Sequence, residues 1–409
     1  MKVQEVTKKV LATTLLKGKR GLESCVYDSK QRLSNYLISC YWFYLSFKSS
    51  DISLKTPYEK NGKALTPLFI KFIKEMKKGS RFQKNGHHIK PSTIEAYEVL
   101  LKHLLKFETN KQQLLLIKDW ETLNTRLKLA ETNYWKKFYI DFTTYLFKDC
   151  NHHDSYMGAN MKLLCAFFKW LQDELIINVG PYYHRFYKTS EDIPVIVLTP
   201  ERLHFLIYDK EFEKSLCKRL QKLKDLFVFG CTTALRFSDL INLKPTNIEV
   251  VGKNVYVYVR SQKTQTFSRI YLPNYAKEIL YKYRRRKKTV FPPISGVNFN
   301  IAIKKIALLA GWTEEIVKTR NKRGQPFTIY KEPIKKINFR FCDVLSSHTM
   351  RRTAITTMLR MGMNQINVRL ISGHTANSTS FYRYVNYADA YIDEQMDMYY
   401  AKLDAVLKK

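Results

Sequence analysis

The sequence predicts a mainly α protein in two folded parts, an all-helical domain followed by an α+β domain whose β content is a small hairpin or sheet. Three observations predict it. Apolar residues recur at helical spacing through 65–178, and a Gly- and Pro-containing break follows. Beyond the break, the stretch NVYVYVRSQKTQTFSRIYLP alternates with period two inside an otherwise helical pattern. With 409 residues, each part is long enough to bury its own core. The 45% hydrophobic content, with only 14 Gly and 12 Pro, excludes a low-complexity chain. No internal repeat suggests a solenoid or propeller.

In chain order, residues 1–64 are basic and mixed in pattern. The first twenty residues scatter charge through their apolar part and lack the apolar core and cleavage site of a signal peptide, so the protein is expected to stay in the cytoplasm. The run YLISCYWFYLSF, 36–47, falls short of the roughly 18 apolar residues of a spanning helix and reads as a buried helix. No membrane partner is expected.

From Leu65, LTPLFIKFIKEMKKG places Leu68, Phe69, Phe72, Ile73 and Met76 on one helical face, with Gly79 as the stop. After the basic loop 83–90, Ser92 is a candidate cap for a helix carrying Ile94, Tyr97, Leu100, Leu101 and Leu104. Amphipathic helices follow at 134–147 and 155–175. The break at 179–199 reads as a linker, and Thr199-Pro200 sets up a helix start. In the second part, Val255, Val257 and Val259 alternate, as do Ile270 and Leu272, predicting two strands around a polar turn before helices resume at Asn274.

The charge balance narrows the function. Seventy Lys and Arg against 36 Asp and Glu give a formal charge of +34, far beyond the needs of solubility, which points to a polyanionic partner, nucleic acid first. The seven cysteines, Cys25, Cys40, Cys150, Cys165, Cys217, Cys231 and Cys342, form no CxxC pair. That argues against a disulfide framework or zinc ribbon and for reduced, buried thiols. His87-His88 and His152-His153 are not expected to bind metal, because adjacent side chains diverge and no acidic or Cys partner stands at ligand spacing.

Cutting a phosphodiester without a metal requires a nucleophile, cations against the non-bridging oxygens, and a proton donor for the leaving oxygen. Arginine suits the second task because its planar fork pairs with phosphate and stays charged. The second part supplies these types in four segments. TTALRFSDLINL holds Arg236 between two helical stretches, with Ser238 as a candidate cap. The polar hairpin turn holds Lys263. In SSHTMRRTAITTMLRMGMN, Ser347 can cap a helix whose first turn carries His348 and Arg351 on one face, at an end that favours anions. ISGHTANSTSFYRYV places His374 after Gly373 at a helix end, ahead of Tyr382 and Tyr384. Each segment alone is a weak signal.

Their order is more specific. The succession Arg236, Lys263, His348, Arg351, His374, Tyr384 resembles the catalytic set of the tyrosine recombinase, or phage integrase, family, over about residues 65–390. The resemblance implies a helical core-binding (SAM-like) domain at 65–178 and an α+β tyrosine-recombinase catalytic domain at 200–409 with a C-terminal tail helix. Residues 1–64 become a candidate arm-type DNA-binding region. It further implies that Arg236 and Arg351 clamp the scissile phosphate, Lys263 protonates the leaving 5′ oxygen, His348 assists proton transfer with the tyrosine, and His374 hydrogen-bonds a phosphate oxygen. Asp239, three residues after the first arginine, would support the site. Tyr384 would attack phosphorus to form a 3′-phosphotyrosyl bond. In the family the tyrosine commonly stands slightly nearer the last histidine. Here position 383 is Arg with tyrosines on both sides; SFYRYV favours Tyr384, and Tyr382 remains the alternative nucleophile. No metal, ATP or other cofactor is expected.

Two basic segments complete the reading. KYRRRKK, with Arg284, Arg285, Arg286 and Lys287, reads as a nucleic-acid patch, a solvated helix end or a localisation signal. VKTRNKRGQPF, with Lys318 and Arg320, reads as a basic loop or hairpin near a DNA backbone. The expected function is site-specific strand exchange on double-stranded DNA, for integration or excision of a mobile element. It would proceed in a tetrameric synapse, with accessory DNA-bending proteins as candidate partners and the nucleoid as the place of action. The two helical parts joined by a linker are expected to clamp the duplex. A type IB topoisomerase-like relaxing enzyme and a non-catalytic DNA-binding regulator are the alternatives.

Overall fold

The computed structural model describes residues 62–389, apart from 84–85, 175, 190, 192, 263–264 and 376–377, together with 396–397, 399–401 and 404. The expected N-terminal arm region, the 36–47 helix, Lys263 and most of the tail after Tyr384 therefore lie outside the described residues. The chain divides into two compact units, Met1–Ser190 and Glu191–Lys409.

The first unit is helical. α1 (Leu65–Lys78) ends on Gly79, whose φ of 76° lets its N–H reach back to the carbonyls of Glu75 and Met76. α2 spans Pro91–Lys111. It begins at Pro91 with Lys90 as the cap residue, two residues ahead of the expected Ser92, because a proline already held near helical φ is favoured in the first turn. α3 (Thr125–Lys148) starts well before the expected 134, capped by the Asn124 side chain, which accepts from Leu127 N. α4 spans Asp154–Asp173. Two short strands, β1 (Lys63–Ala64) and β2 (Leu116–Ile117), pair antiparallel. The core is aromatic: Phe69, Phe72, Trp135, Phe142, Phe167 and Phe168 are fully buried. Each such ring contributes roughly 2–3 kcal/mol of apolar transfer. Part of the expected linker belongs to this core, since Val179, Tyr182, Tyr183 and Phe186 pack into it.

The second unit opens with α5 (Pro200–Tyr208), where the Thr199 side chain caps Arg202 N and Pro200 occupies the first turn. α6 (Lys210–Ser215), α7 (Lys218–Thr233) and α8 (Phe237–Ile241) follow. The sheet has three antiparallel strands in sequence order, β3 (Ile248–Val251), β4 (Asn254–Arg260) and β5 (Phe267–Tyr271), with Val257 opposite Ile270 and Val259 opposite Ser268. The predicted alternation is present: Val257, Val259 and Ile270 face the core while Tyr258, Arg260 and Tyr271 face out.

Next come α9 (Asn274–Lys282) and α10 (Gly296–Leu309). β6 (Glu315–Ile316) pairs with β9 (Phe339–Arg340), and β7 (Lys318–Lys322) pairs with β8 (Gln325–Ile329), the basic hairpin. α11 (Phe341–Val344), α12 (Ser347–Arg360), α13 (Gln365–Ser372) and α14 (Thr379–Asp389) close the unit. α7 and α12 pack closely at Gly230, where a Cβ would come within 2.3 Å of Met350 Sδ. Among the described residues, no helix is long and apolar enough to cross a membrane.

Candidate active site

The candidate residues are placed by three joints around the paired helices α7 and α12. The first is the end of α7. Ala234 stops the helix in the left-handed conformation, φ 55°, and the chain turns so that Arg236 becomes the cap residue of α8. Ser238 therefore lies inside α8, not at its cap as expected, because the left-handed turn at Ala234 starts the new helix earlier. From this position Arg236 Nη1 donates to Ser261 Oγ at 2.6 Å, and Nη2 donates to the Gly373 carbonyl at 3.4 Å.

The second joint is the β4–β5 turn. Ser261 Oγ donates in turn to Asp239 Oδ2 at 3.3 Å, and Asp239 Oδ1 accepts from Gln262 N at 3.1 Å. Asp239, only 5% exposed, thus holds the residues immediately before Lys263. The return strand is sewn to α13: Thr266 Oγ1 donates to the Gly373 carbonyl at 3.2 Å, and Ser268 Oγ donates to the Leu370 carbonyl at 2.8 Å.

The third joint is the end of α13. Gly373, φ 63°, lets the chain reverse so that His374 N bonds back to the Arg369 carbonyl. A Cβ here would lie 2.9 Å from Thr266 Oγ1 and 3.8 Å from Arg236 Nη1, so this turn tolerates only glycine.

Arg351 and His374 meet at these joints. Arg351 extends from the first turn of α12, is 3% exposed, and donates through Nη1 to the Ala234 carbonyl at 2.7 Å. Its Nη2 lies 3.3 Å from His374 Nδ1 and 3.2 Å from Nε2. Ser372 Oγ donates to the Val368 carbonyl at 2.6 Å and lies 2.7 Å from His374 Nδ1. With its proton committed to Val368, Ser372 accepts from Nδ1–H, which assigns the imidazole lone pair to Nε2.

Burial, then the charges of Arg351, Arg236 and Arg369, push His374 down to about 3, so its ring is neutral. Burial and the neighbouring Arg236 lower Arg351 to about 10, partly opposed by Tyr384 and Asp239. Two cations held this close with one buried carboxylate nearby make a strongly electropositive spot.

Tyr384 and Tyr382 differ clearly. Phe381 and Val385 anchor α14 against Ala234, Ala354, Ile355, Leu359 and Val368 of the same unit, and Tyr384 packs on this cluster. Its ring centroid lies 5.9 Å from that of His374. Tyr382 is 49% exposed, with the Arg369 guanidinium 5.2 Å from its ring. Of the expected set, Arg236, Arg351, His374 and Tyr384 come together. His348 is exposed, on the second residue of α12, a turn before Arg351. The cap of that helix is Ser346, one residue earlier than expected; its N–H donates to Thr349 Oγ1 at 3.0 Å, and its carbonyl accepts from Thr349 N at 2.9 Å.

A family model described as "Phage integrase family" matches residues 210–390. The chain carries a domain of the phage integrase family. No curated protein matches it. Among solved structures, XerH site-specific recombinase bound to palindromic difH substrate, a post-cleavage complex, aligns at TM-score 0.53 and 11% identity, covering 85% of this chain and 98% of that one. A Tn1549 transposon integrase variant in complex with a circular intermediate DNA aligns at TM-score 0.52 and 16% identity, covering 78% and 94%. The same integrase in complex with transposon right end DNA aligns at TM-score 0.51 and 14% identity, covering 82% and 99%. At these identities the likeness is one of fold.

Within the integrase domain the two groups of expected DNA-binding cations occupy different elements. Lys318 and Arg320 lie on β7 and line a cavity of about 360 Å³ with Lys304, Arg352, Asn300 and Ser346. Burial and the charges of Arg320 and Lys304 lower the pKa of Lys318. Residues 284–287 follow α9 and are exposed; Arg284 folds over the Tyr281 ring and Arg286 Nε donates to the Thr289 carbonyl. The residues that sequence reasoning missed are Ser261, Thr266, Ser268 and Ser372, which hold the integrase-domain site together. Their roles depend on partners distant in the chain, and short hydroxyl residues at strand and helix ends give no signal of that.

Proposed function

We propose that the chain is a tyrosine-type site-specific DNA recombinase that cleaves and rejoins DNA strands through a 3′-phosphotyrosyl intermediate, with Tyr384 as nucleophile. The observation that carries this is the convergence of Arg236, Arg351 and His374, from three separate elements, next to the Tyr384 ring. The two guanidinium forks receive the non-bridging oxygens of one phosphate and stabilise the charge that builds on them in the transition state.

His374 is neutral in the free site. A phosphate between the arginines offsets their charge and favours a proton on Nε2, from which His374 donates to a phosphate oxygen. Tyr384 loses its phenolic proton, assisted by His348, and its oxygen bonds to phosphorus as the bond to the 5′ oxygen breaks. Lys263, on the turn whose first residues Asp239 holds, protonates that oxygen. Reversal with a 5′-hydroxyl from a second duplex completes a strand exchange. The phosphoester energy is kept in the phosphotyrosyl bond, so rejoining needs no external energy source. Lys318 and Arg320, with Lys304 and Arg352, and residues 284–287 contact backbone phosphates; the first unit acts as the core-binding domain.

A synaptic tetramer on paired sites, at the chromosome, with integration or excision of a mobile element as its outcome, follows from this chemistry together with the family. The test uses nicked suicide duplexes carrying a site selected by binding. Wild type and Tyr382→Phe are expected to give a covalent protein–DNA adduct on denaturing gels, and Tyr384→Phe none. An adduct in Tyr384→Phe that disappears in Tyr382→Phe would reverse the nucleophile, and loss in neither would overturn the reading. Native-gel stoichiometry separates a recombinase, which pairs sites, from a relaxing enzyme acting as a monomer.

A further inference from the structure

The loop between α3 and α4 brings Cys150 and His152 to His103 of α2. Each offers one ligand atom, and the three atoms lie within 4.8 Å of one another. Sequence reasoning discounted His152-His153 as ligands for want of a partner. The fold supplies Cys150 from the same loop and His103 from a distant helix.

Cys150 Sγ lies 3.8 Å from His103 Nδ1. A sulfur and a nitrogen bound to one tetrahedral zinc ion, at bond lengths of about 2.3 and 2.1 Å, stand about 3.6 Å apart. The loop is firmly built. Asp149 N and Cys150 N both donate to the Tyr145 carbonyl, at 2.9 and 3.1 Å, and His152 N donates to the Leu146 carbonyl at 3.0 Å. Between the two ligand positions, Asn151 takes a left-handed φ of 52°, which asparagine accepts more readily than most residues.

The outer groups also fit. His103 Nε2 lies 3.4 Å from Tyr156 Oη. A proton on Nε2 donated to that phenol leaves the Nδ1 lone pair facing Cys150, the way ligating histidines are commonly oriented. His152 Nε2 is buried without a hydrogen-bond partner, an unfavourable state that a metal ion relieves.

We infer that His103, Cys150 and His152 form a zinc site with a fourth position open to water, tying α2 to the α3–α4 loop. Two imidazoles and a thiolate suit zinc, whereas magnesium and calcium require oxygen ligands. On binding, Cys150 gives up its thiol proton to solvent.

The test uses the full chain, stripped with a chelator and titrated with Co(II) and then Zn(II). The expected result is a tetrahedral cobalt spectrum with a thiolate-to-metal charge-transfer band, displaced by zinc, and a higher melting temperature for the zinc form. Cys150→Ser loses the band. His103→Asn and His152→Asn keep it but bind more weakly, by more than the roughly 10–100-fold that loss of a group merely orienting a ligand costs. Cys165→Ser, at a buried thiol that donates to the Tyr183 carbonyl, keeps both band and affinity. Persistence of the band in Cys150→Ser overturns the site. So does a stripped wild type that shows neither cobalt absorption nor a zinc-dependent melting shift, a result that does not depend on any variant folding and leaves the recombinase reading untouched.

Discussion

The Arg351 guanidinium, on α12, donates to the carbonyl of Ala234, the residue that ends α7 in the left-handed conformation. One side chain thus joins the two helices at the point where Arg236 departs, while its other nitrogen faces His374. A lysine keeps the charge but not the fork. Arg351→Lys is therefore expected to lower single-turnover adduct formation by about 10²–10³-fold, the usual cost of removing one transition-state donor. Its melting temperature should fall only modestly. Activity within a few-fold of wild type would show that the second fork nitrogen is not used.

Gly373 gives a prediction about geometry alone. Alanine there would hold φ 63° at a steric cost and press its methyl on Thr266 Oγ1. Gly373→Ala should destabilise the protein by about 1–3 kcal/mol, measured by denaturant unfolding. Adduct formation should fall further than stability explains, because His374 moves with the turn. A variant that loses stability but cleaves at the wild-type rate would show that the turn does not set the His374 position.

Asp239 touches the reacting groups only through others. It holds Ser261 Oγ and Gln262 N, the first fixing Arg236 and the second leading to Lys263. Asp239→Ala should slow cleavage about a hundredfold, the scale of an ångström of misplacement. DNA affinity should stay unchanged, since phosphate contacts are left in place. A duplex with a 5′-thio leaving group, which needs no protonation, should recover much of the loss if the Lys263 turn is what moves. No recovery would assign the effect to Arg236.

How much of this was legible in the sequence follows from how local each signal is. The β4–β5 hairpin could be read because one of its faces is buried, which imposes strict alternation on Val255, Val257 and Val259. β3 could not: Val250 and Val251 are both exposed, so its edge position left no period. The opening turns of α3 were missed because residues 125–133 are largely polar, and only the Asn124 cap marks them. Arg236, Arg351, His374 and Tyr384 were readable as types in order. The preference for Tyr384 over Tyr382 was already readable from SFYRYV; what the sequence did not show is that Phe381 and Val385 turn one face of α14 into the core, with Tyr384 packed beside them. The serines around the site, and the meeting of His103 with Cys150, link positions far apart in the chain, and no local pattern encodes such pairs.

Glu108 provides a pH test in the first unit. Its carboxylate accepts from Thr66 Oγ1 at 2.8 Å and Leu115 N at 2.9 Å, and burial, outweighing both, raises it to about 7 from an ordinary 4.5. With the folded pKa above the unfolded one, the folded state holds an extra proton between those values. Its stabilising effect is complete below about pH 4.5 and is lost as pH rises through about 7. Above that, the buried charge costs the fold on the order of 3 kcal/mol. Glu108→Gln carries no charge, so it should melt close to wild type at pH 4.5 and clearly higher at pH 8. Equal melting temperatures at pH 8 would mean that Glu108 ionises in the fold without penalty.

The last prediction concerns the two cation groups of the integrase domain. If residues 284–287 and the cavity holding Lys318 and Arg320 both contact backbone phosphates, each cation released from its phosphate lowers the salt slope of binding by about 0.9. Arg284→Ala with Lys287→Ala, and Lys318→Ala with Arg320→Ala, should each reduce the slope of log K against log salt by up to about 2. Both should weaken specific and random duplexes alike, because phosphate contacts carry no sequence. The pairs should differ in a second respect. Lys318 and Arg320 share their cavity with Ser346 and Arg352, at the N-terminal end of the helix that carries Arg351. Their loss should therefore also slow cleavage at saturating DNA, whereas loss of Arg284 and Lys287 should leave that rate unchanged. An unchanged slope for the 284–287 pair would identify that segment as a solvated helix end.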